Sequence, residues 1–226
     1  MIRILLLDLD DTLYPEQTGV MEQVRILMLR YLQERFHLSL EEANALRRHY
    51  FQTYGTTLRG LQIHYQIDPE EYLHYVHNIP LHEYLRPNPE LDGVLASLPQ
   101  QKVVFTNSSR EHAERVLALL GVRQHFIRIV DVRDLNYESK PEPSAYRRIC
   151  ELLDARPEEC LIVEDIIRNL RPAKALGMTT VLVGDSTATA GDGADFTIPR
   201  IEEIGKVLAE IESARSVRKP HAKRGS

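Results

Sequence analysis

Apolar residues follow two rhythms along the chain, and the change of rhythm divides it. At residues 2–7, "IRILLL", apolar positions run almost without interruption. A strand covered on both faces of a parallel sheet shows such a run, whereas a strand wet on one face alternates. Similar short runs recur at "KVVFTN" (102–107), "FIRIVDV" (126–132), "CLIVED" (160–165), "TTVLVG" (179–184) and, more weakly, "DFTIP" (195–199). Between them the spacing is helical. "SSREHAERVLALLG" opens on serine, gathers Val116, Leu117, Leu119 and Leu120 on one face and stops at Gly121. "PSAYRRICELLD", "NLRPAKALG" and "IPRIEEIGKVLAEIES" read the same way. Strand and helix alternate from residue 100 onward, which predicts an α/β protein with a parallel sheet and helices on both faces.

Residues 16–86 break that alternation. "VMEQVRILMLRYLQERF" places Val20, Val24, Leu27, Met28, Tyr31 and Leu32 at helical spacing. Ser39 and Glu42 make a capping box for a helix that runs to about Tyr54, before Gly55. Asp68, Pro69 and Glu71 mark a further helix start. The block reads as an all-helical insertion after the first strand, with "RPNPE" (86–90) as the linker back. The expected organisation is a core of residues 1–15 and 87–214, the insertion at 16–86, and a basic, disordered tail at 215–226.

Composition narrows the function classes. The 226 residues carry a net charge of −5 and 43% hydrophobic residues, ordinary for a globular protein, and give no overall basic field for nucleic acid or an anionic membrane. No stretch approaches a membrane span. Two cysteines, Cys150 and Cys160, are too few for a disulfide scaffold and suit a reducing cytoplasm. The expected partner is a small molecule, neither a nucleic acid polymer nor a membrane, and the expected state is a monomer or homodimer.

Ligands of an open parallel sheet bind beyond the carboxyl ends of its strands. At those ends stand Asp8 and Asp10, then Thr106, Asn107 and Ser108, then Lys140 in the loop after the third run, then Glu164 and Asp165. Carboxylates, hydroxyls and one ammonium, delivered by four distant segments, suit a phosphate ester and a hard divalent cation. Magnesium takes oxygen ligands and is held by one or two carboxylates with substrate oxygens and water. Lysine offers a compact charge to the phosphoryl oxygens. Asp8 and Asp10 lie two residues apart, which on an extended chain puts both on one side, with Leu9 turned away and Asp11 in the following turn.

These segments resemble the motifs of the haloacid dehalogenase-like (HAD) superfamily of phosphohydrolases. "DLDDTLY" is similar to its Asp-x-Asp-x-Thr motif, "VVFTN" to its second, "SKPEPSAY" to its third and "LIVEDIIRN" to its fourth, in the family's order. The resemblance implies a Rossmann-like core with a helical cap at 16–86 and an aspartyl-phosphate mechanism. Asp8 is then the nucleophile and Asp10 the acid/base, with a raised pKa. Thr106, Asn107 and Lys140 hold the phosphoryl group. Asp8, Asp165 and the main-chain carbonyl of Asp10 hold Mg2+, with Glu164 acting from the outer sphere, and Asn169 is the polar residue that follows the acidic pair. Asp10 argues against a 2-haloacid dehalogenase, because those relatives lack the second aspartate.

"YFQTYGTTLRGL" (50–61), together with "DLDDTLYP", resembles the pyrimidine 5′-nucleotidase-like branch of that superfamily. This implies a nucleoside monophosphate or another small phosphate ester as substrate. Arg59 is then a candidate cap contact to substrate, with an ordinary surface arginine as the alternative. The many Tyr and His of the insertion can stack on a base or simply build helix core and surface. Two other functions fit the same residues: a sugar-phosphate phosphatase or phosphomutase, and a catalytically silent phosphate-binding regulator.

Overall fold

A computed structural model of the chain describes residues 1–184 and 193–217, the side chains of 215–217 excepted. Six strands are found among the described residues: β1 (Ile4–Leu7), β2 (Gln101–Phe105), β3 (Phe126–Val130), β4 (Cys160–Glu164), β5 (Thr179–Val183) and β6 (Phe196–Ile198). They form one sheet in the order β3-β2-β1-β4-β5-β6, and every neighbouring pair is parallel. The alternation of runs is therefore the α/β fold it predicts.

The unbroken apolar run of β1 follows from its central place between β2 and β4. Leu5 and Leu7 enter one core layer with α5 (Pro89–Ser97), α6 (Arg110–Leu120) and α9 (Ile204–Val217), through Leu91, Leu95, Val116, Leu117, Ile204 and Val207. Ile4 and Leu6 enter the opposite layer with α7 (Pro143–Leu152) and α8 (Ile167–Ala175), through Ala145, Tyr146, Ile149, Leu170 and Ala173. Both faces are dry, so neither leaves room for polar residues. The strand stops at Leu7, and the chain then turns tightly, with Leu13 N–H bonding back to Leu9 C=O at 3.0 Å.

The expected insertion interval holds α1 (Val20–Phe36), α2 (Leu40–Tyr54), α3 (Thr57–Tyr65) and α4 (Pro69–Val76). The Ser39–Glu42 capping box forms in both directions, at 2.8 and 3.3 Å. Asp68 accepts from Glu70 N–H at 2.9 Å and Pro69 opens α4. Two helices lie outside the expected pattern. The first is α3, capped by the Thr56 hydroxyl on Arg59 N–H at 3.1 Å. It contains Gly60 because a Cβ there would fall 2.2 Å from Cγ of the Tyr50 ring. The second is α5, which starts inside the expected linker: Asn88 caps it and Pro89 is its first residue. At the other end, α9 continues to Val217, past the expected start of the tail, while residues 218–226 lie outside the described residues. Among the described residues no helix is long and apolar enough to cross a membrane.

Candidate active site

The carboxyl ends of β1, β2 and β4 and the loop after β3 open into a cavity of about 370 Å³, closed from the other side by α1–α4. Asp8, Asp10, Thr106, Asn107, Lys140, Glu164 and Asp165 all line it. Arg59 does not. Position 59 faces out of the cavity's lining, while its neighbours Thr56, Thr57 and Leu58 face in, as do Arg25 and Arg47 from α1 and α2.

Lys140 is the centre of the core side. It is 1% exposed, and its Nζ lies 2.7 Å from Asp8 Oδ1 and 2.9 Å from Glu164 Oε1. Burial works against its charge, but Asp8 and Glu164 outweigh it and push the ammonium above its ordinary value. Glu164 is also bonded by Ile166 N–H at 2.7 Å and by Asn169 Nδ2 at 2.5 Å. Burial raises its pKa, but Lys140, the Ile166 N–H and a hydrogen bond with Asp165 hold it below the usual carboxylate range. Asp8 is pushed up to about 7, by burial first and then by Glu164 and Asp10, against Lys140. Asp165 rises to about 9 through burial and the nearby Glu164 and Asp8.

Three carboxylates thus gather around one ammonium that bonds two of them, Asp8 and Glu164. Asp8, Glu164 and Asp165 each offer an oxygen within 4.8 Å of the others. Asp8 and Asp165 are the two left short of positive charge, and Thr12 Oγ1 stands 3.4 Å from each. An oxygen-only donor set with excess negative charge fits a small divalent cation such as Mg2+.

Asp10 departs from expectation in two ways. It sits in the turn beyond β1, not one pleat along an extended strand, so the turn brings it to the cavity. Its carboxylate is also fully engaged: His112 Nε2 lies 2.9 Å from Oδ1, Tyr14 O–H donates to Oδ1 at 2.5 Å, and Ser108 O–H donates to Oδ2 at 2.5 Å. Burial would raise its pKa, but His112, Ser108 and Tyr14 hold it well below the carboxylate range, the reverse of the elevation expected from its role. His112 stacks on His77, with ring centroids 4.4 Å apart, and His77 Nδ1 lies 3.1 Å from Ser109 Oγ. The sequence motifs do not contain His112. Its signal is its place in the first turn of α6, directly after the β2 loop.

Asn107 is likewise committed elsewhere. Its Nδ2 donates to Lys140 C=O at 3.0 Å and its Oδ1 accepts from Lys140 N–H at 2.8 Å. The side chain expected on the phosphoryl oxygens instead clamps the backbone of the lysine. Thr106 Oγ1 accepts from Ser108 N–H at 3.0 Å, which shapes the β2 loop. Asp11 has φ +60, a turn conformation that Asp tolerates. Its Oδ1 is buried without a partner, and burial with Asp10 and Glu16 nearby raises it to about 7.

The aromatic residues of the insertion mostly build its own structure. Tyr50, Tyr54 and His64 pack on one another, as do Tyr31, Tyr72 and Tyr75. Of the expected stacking residues, Tyr72 and His77 line the cavity.

Residues 2–177 match the profile of the haloacid dehalogenase-like hydrolases. The chain belongs to that family. It is similar to phosphate metabolism protein 8 of Saccharomyces cerevisiae, with 28% identity over 80% of this chain and 61% of that protein. A phosphoglycolate phosphatase of Chromobacterium violaceum is 34% identical over half of each chain. The chain thus spans between half and three fifths of the length of these two relatives. Among solved structures, a HAD phosphatase from Thermococcus onnurineus superposes with a TM-score of 0.63 at 21% identity, over 92% of this chain and 98% of that one, which shows the shared fold.

Proposed function

We propose that the protein is a magnesium-dependent phosphomonoester hydrolase working through an aspartyl-phosphate on Asp8. The observation that carries this reading is the buried Lys140 ammonium held between Asp8 and Glu164, with Asp165 beside them, at one end of a cavity of small-ligand size. Asp8 Oδ1 is fixed by Lys140, which leaves Oδ2 to attack phosphorus. The P–O bond to the alcohol breaks as the new Asp8–phosphorus bond forms. The leaving oxygen takes the proton carried by the Asp10 carboxyl, which returns Asp10 to the carboxylate held by His112, Tyr14 and Ser108. Asp10, ionised by its three donors, then accepts a proton from the water that attacks phosphorus and frees Asp8. Lys140 and the amides beyond Thr106 meet the charge on the phosphoryl oxygens. Asp8, Asp165, the Asp10 carbonyl and, through water, Glu164 would hold the Mg2+, which supplies charge neutralisation at the phosphoryl group.

Within this class, the sequence resemblance supports a nucleoside monophosphate, and the aromatic residues Tyr72, His77 and Phe51 line the cavity. A sugar phosphate or phosphorylated acid is the second reading, supported by the relative named for phosphoglycolate. The two buried free cysteines support a reducing compartment such as the cytoplasm.

Phosphate release from 4-nitrophenyl phosphate tests the class. Turnover is expected with Mg2+, is expected to stop with EDTA, and should fall by about 10⁴ or more in Asp8→Asn with the fold retained, as for loss of a covalent nucleophile. Turnover by Asp8→Asn near the wild-type rate would reject the mechanism. Inactivity of the wild type across a broad phosphate panel would favour the silent regulator, and phosphoryl transfer exceeding phosphate release would favour the mutase.

A further inference from the structure

On the cap side of the cavity one charge is left unanswered. Two arginines of the insertion reach the cavity, Arg25 of α1 and Arg47 of α2. Arg25 is paired with Glu22, one turn before it on the same helix, and Glu22 lines the same wall. Arg47 forms no hydrogen bond or ion pair with any described residue, and its Nε is buried without an acceptor. The next residue, Arg48, is exposed to solvent, as a surface arginine normally is.

A half-buried guanidinium without a counter-charge is an uncommon arrangement. Arginine stays charged at all relevant pH values, and a charge leaving water needs a partner. The groups that act most on Arg47 confirm the deficit. Burial lowers its pKa most, Arg25 and Arg48 repel it, and the Tyr72 hydroxyl alone acts in its favour; no carboxylate is among them. No described residue supplies the partner that would complete this site, and the cavity gives a ligand access to it.

Two further features share that wall. The Tyr72 hydroxyl is on a side chain 1% exposed and has no partner in full hydrogen-bond geometry, although the Thr57 side chain is close enough to hydrogen-bond it weakly. Thr57 and Leu58 are the first two residues of α3 and line the cavity. Their amides have no carbonyl one turn earlier to bond, and a helix N-terminus favours an anion.

We infer that Arg47, with the Tyr72 hydroxyl and the first amides of α3, forms a subsite for a second oxyanion, a carboxylate or a second phosphate, carried by the leaving part of the phosphate ester. The planar guanidinium fork matches two oxygens on one centre, which a carboxylate or phosphate offers and a neutral alcohol does not. The inference rests on the phosphatase reading and divides its two substrate forms: a phosphorylated acid or bisphosphate satisfies the cap wall, whereas a nucleoside monophosphate brings no second anion. The other end of the cavity cannot serve the same group, because Asp8, Asp10, Asp11, Glu164 and Asp165 crowd it with negative charge.

The test uses matched pairs of esters with Mg2+ present. 3-Phosphoglycerate against glycerol 3-phosphate isolates a carboxylate; fructose 1,6-bisphosphate against fructose 6-phosphate isolates a second phosphate; uridine monophosphate and 4-nitrophenyl phosphate carry neither. The wild type is expected to favour the charged member of one pair by about ten- to a hundredfold in kcat/KM, the factor that corresponds to a hydrogen bond to a charged group. In Arg47→Met that preference should collapse to within about threefold, through KM and not kcat, and Arg47→Lys should restore part of it. The lysine variant keeps the charge and so reports even where the methionine variant folds poorly. Equal rates within both pairs, a preference that survives in Arg47→Met, or uridine monophosphate outpacing every charged ester would each overturn the subsite while leaving the phosphatase standing. Absence of phosphate release from all six esters would overturn the phosphatase reading, and the subsite with it.

Discussion

The two walls of the cavity are built on opposite principles. On the core wall the central charged groups hold one another: Lys140 is held by Asp8 and Glu164, Glu164 by Asn169 and Ile166 N–H, and Asp10 by His112, Tyr14 and Ser108. These groups come from β-strand ends and short turns anchored in a sheet dry on both faces, so their positions are set before any ligand arrives. Preorganised charge of this kind stabilises a transition state without reorganisation. The cap wall is largely apolar, from Val24, Met28, Phe51, Leu58, Leu73 and Val76, and sits on helices of an insertion. Under the proposed function, the bonded charges stand on strand ends of the sheet, and the residues facing a leaving group stand on the helical insertion.

Breaking the core wall should cost most. Lys140→Met removes the ammonium that bonds the buried Asp8 and Glu164, with half-buried Asp165 beside them. Breaking a buried ion pair from one side costs about 3–5 kcal/mol, because the remaining charges are left uncompensated. Thermal unfolding should fall accordingly, and phosphate release should drop by about 10³-fold or more, as for removal of a preorganised charge in a dry site. If Lys140→Met unfolds at the wild-type temperature, the carboxylates are compensated by something other than this lysine, and the contrast between the walls fails.

The seam between the walls comes next. Gly55 has φ +86, and a Cβ there would lie 2.6 Å from Pro141 Cδ and 2.7 Å from Lys140 C=O. The close approach presses the insertion against the lysine's own loop, alongside Thr56 Oγ1, 3.3 Å from Ser139 Oγ. Gly55→Ala meets both a left-handed backbone and a clash, a cost of about 1–3 kcal/mol. It should raise KM more than it lowers kcat, since the cap loop moves while the core constellation keeps its own bonds. A fall in kcat with KM unchanged would show that the loop of Lys140 yields instead.

The same contrast explains what was legible in the sequence. Asp8, Lys140, Glu164 and Asp165 could be read because they follow apolar runs, and in a parallel sheet the end of each run converges on one edge. The six strands could be read for the same reason. The partners of Asp10 could not. Tyr14, Ser108 and His112 belong to a turn, a loop and a helix whose meeting depends on how the chain folds after β1. Without them Asp10 looks like a carboxyl crowded by acids, with a raised pKa; with them it is held ionised. The partner of the Asn107 amide is hidden from the sequence for a similar reason, because it is the Lys140 backbone, 33 residues away. On the insertion, helical periodicity finds apolar faces but does not fix how helices are rotated against the core. Periodicity therefore does not distinguish Arg59, half-buried outside the cavity, from Arg47, which lines it.

The smallest expected effect lies at the rim, where the walls meet in water. Glu70 of α4 accepts from Arg133 at 2.6 Å and from Tyr137 O–H at 2.6 Å, tying the insertion to the loop after β3. The Arg133 hydrogen bonds, against a smaller burial effect, hold its carboxyl down at about 2, from an ordinary value of 4.5. A carboxylate bound more tightly to protons in the unfolded chain stabilises the fold above its unfolded pKa and loses that contribution as pH falls through its folded one. The contribution is therefore complete above about pH 5 and fades between pH 4.5 and pH 2. Its size is small, because the Glu70 side chain is 48% exposed and solvent screens the pair; about 0.2–1 kcal/mol is expected, shrinking with added salt. Chemical denaturation of wild type and Glu70→Gln should differ by that amount at pH 7 and converge near pH 2, with kcat unaltered. A gap that persists at pH 2 would assign the stabilisation to the side chain's packing, and a changed kcat would mean that this rim contact reaches the core wall after all.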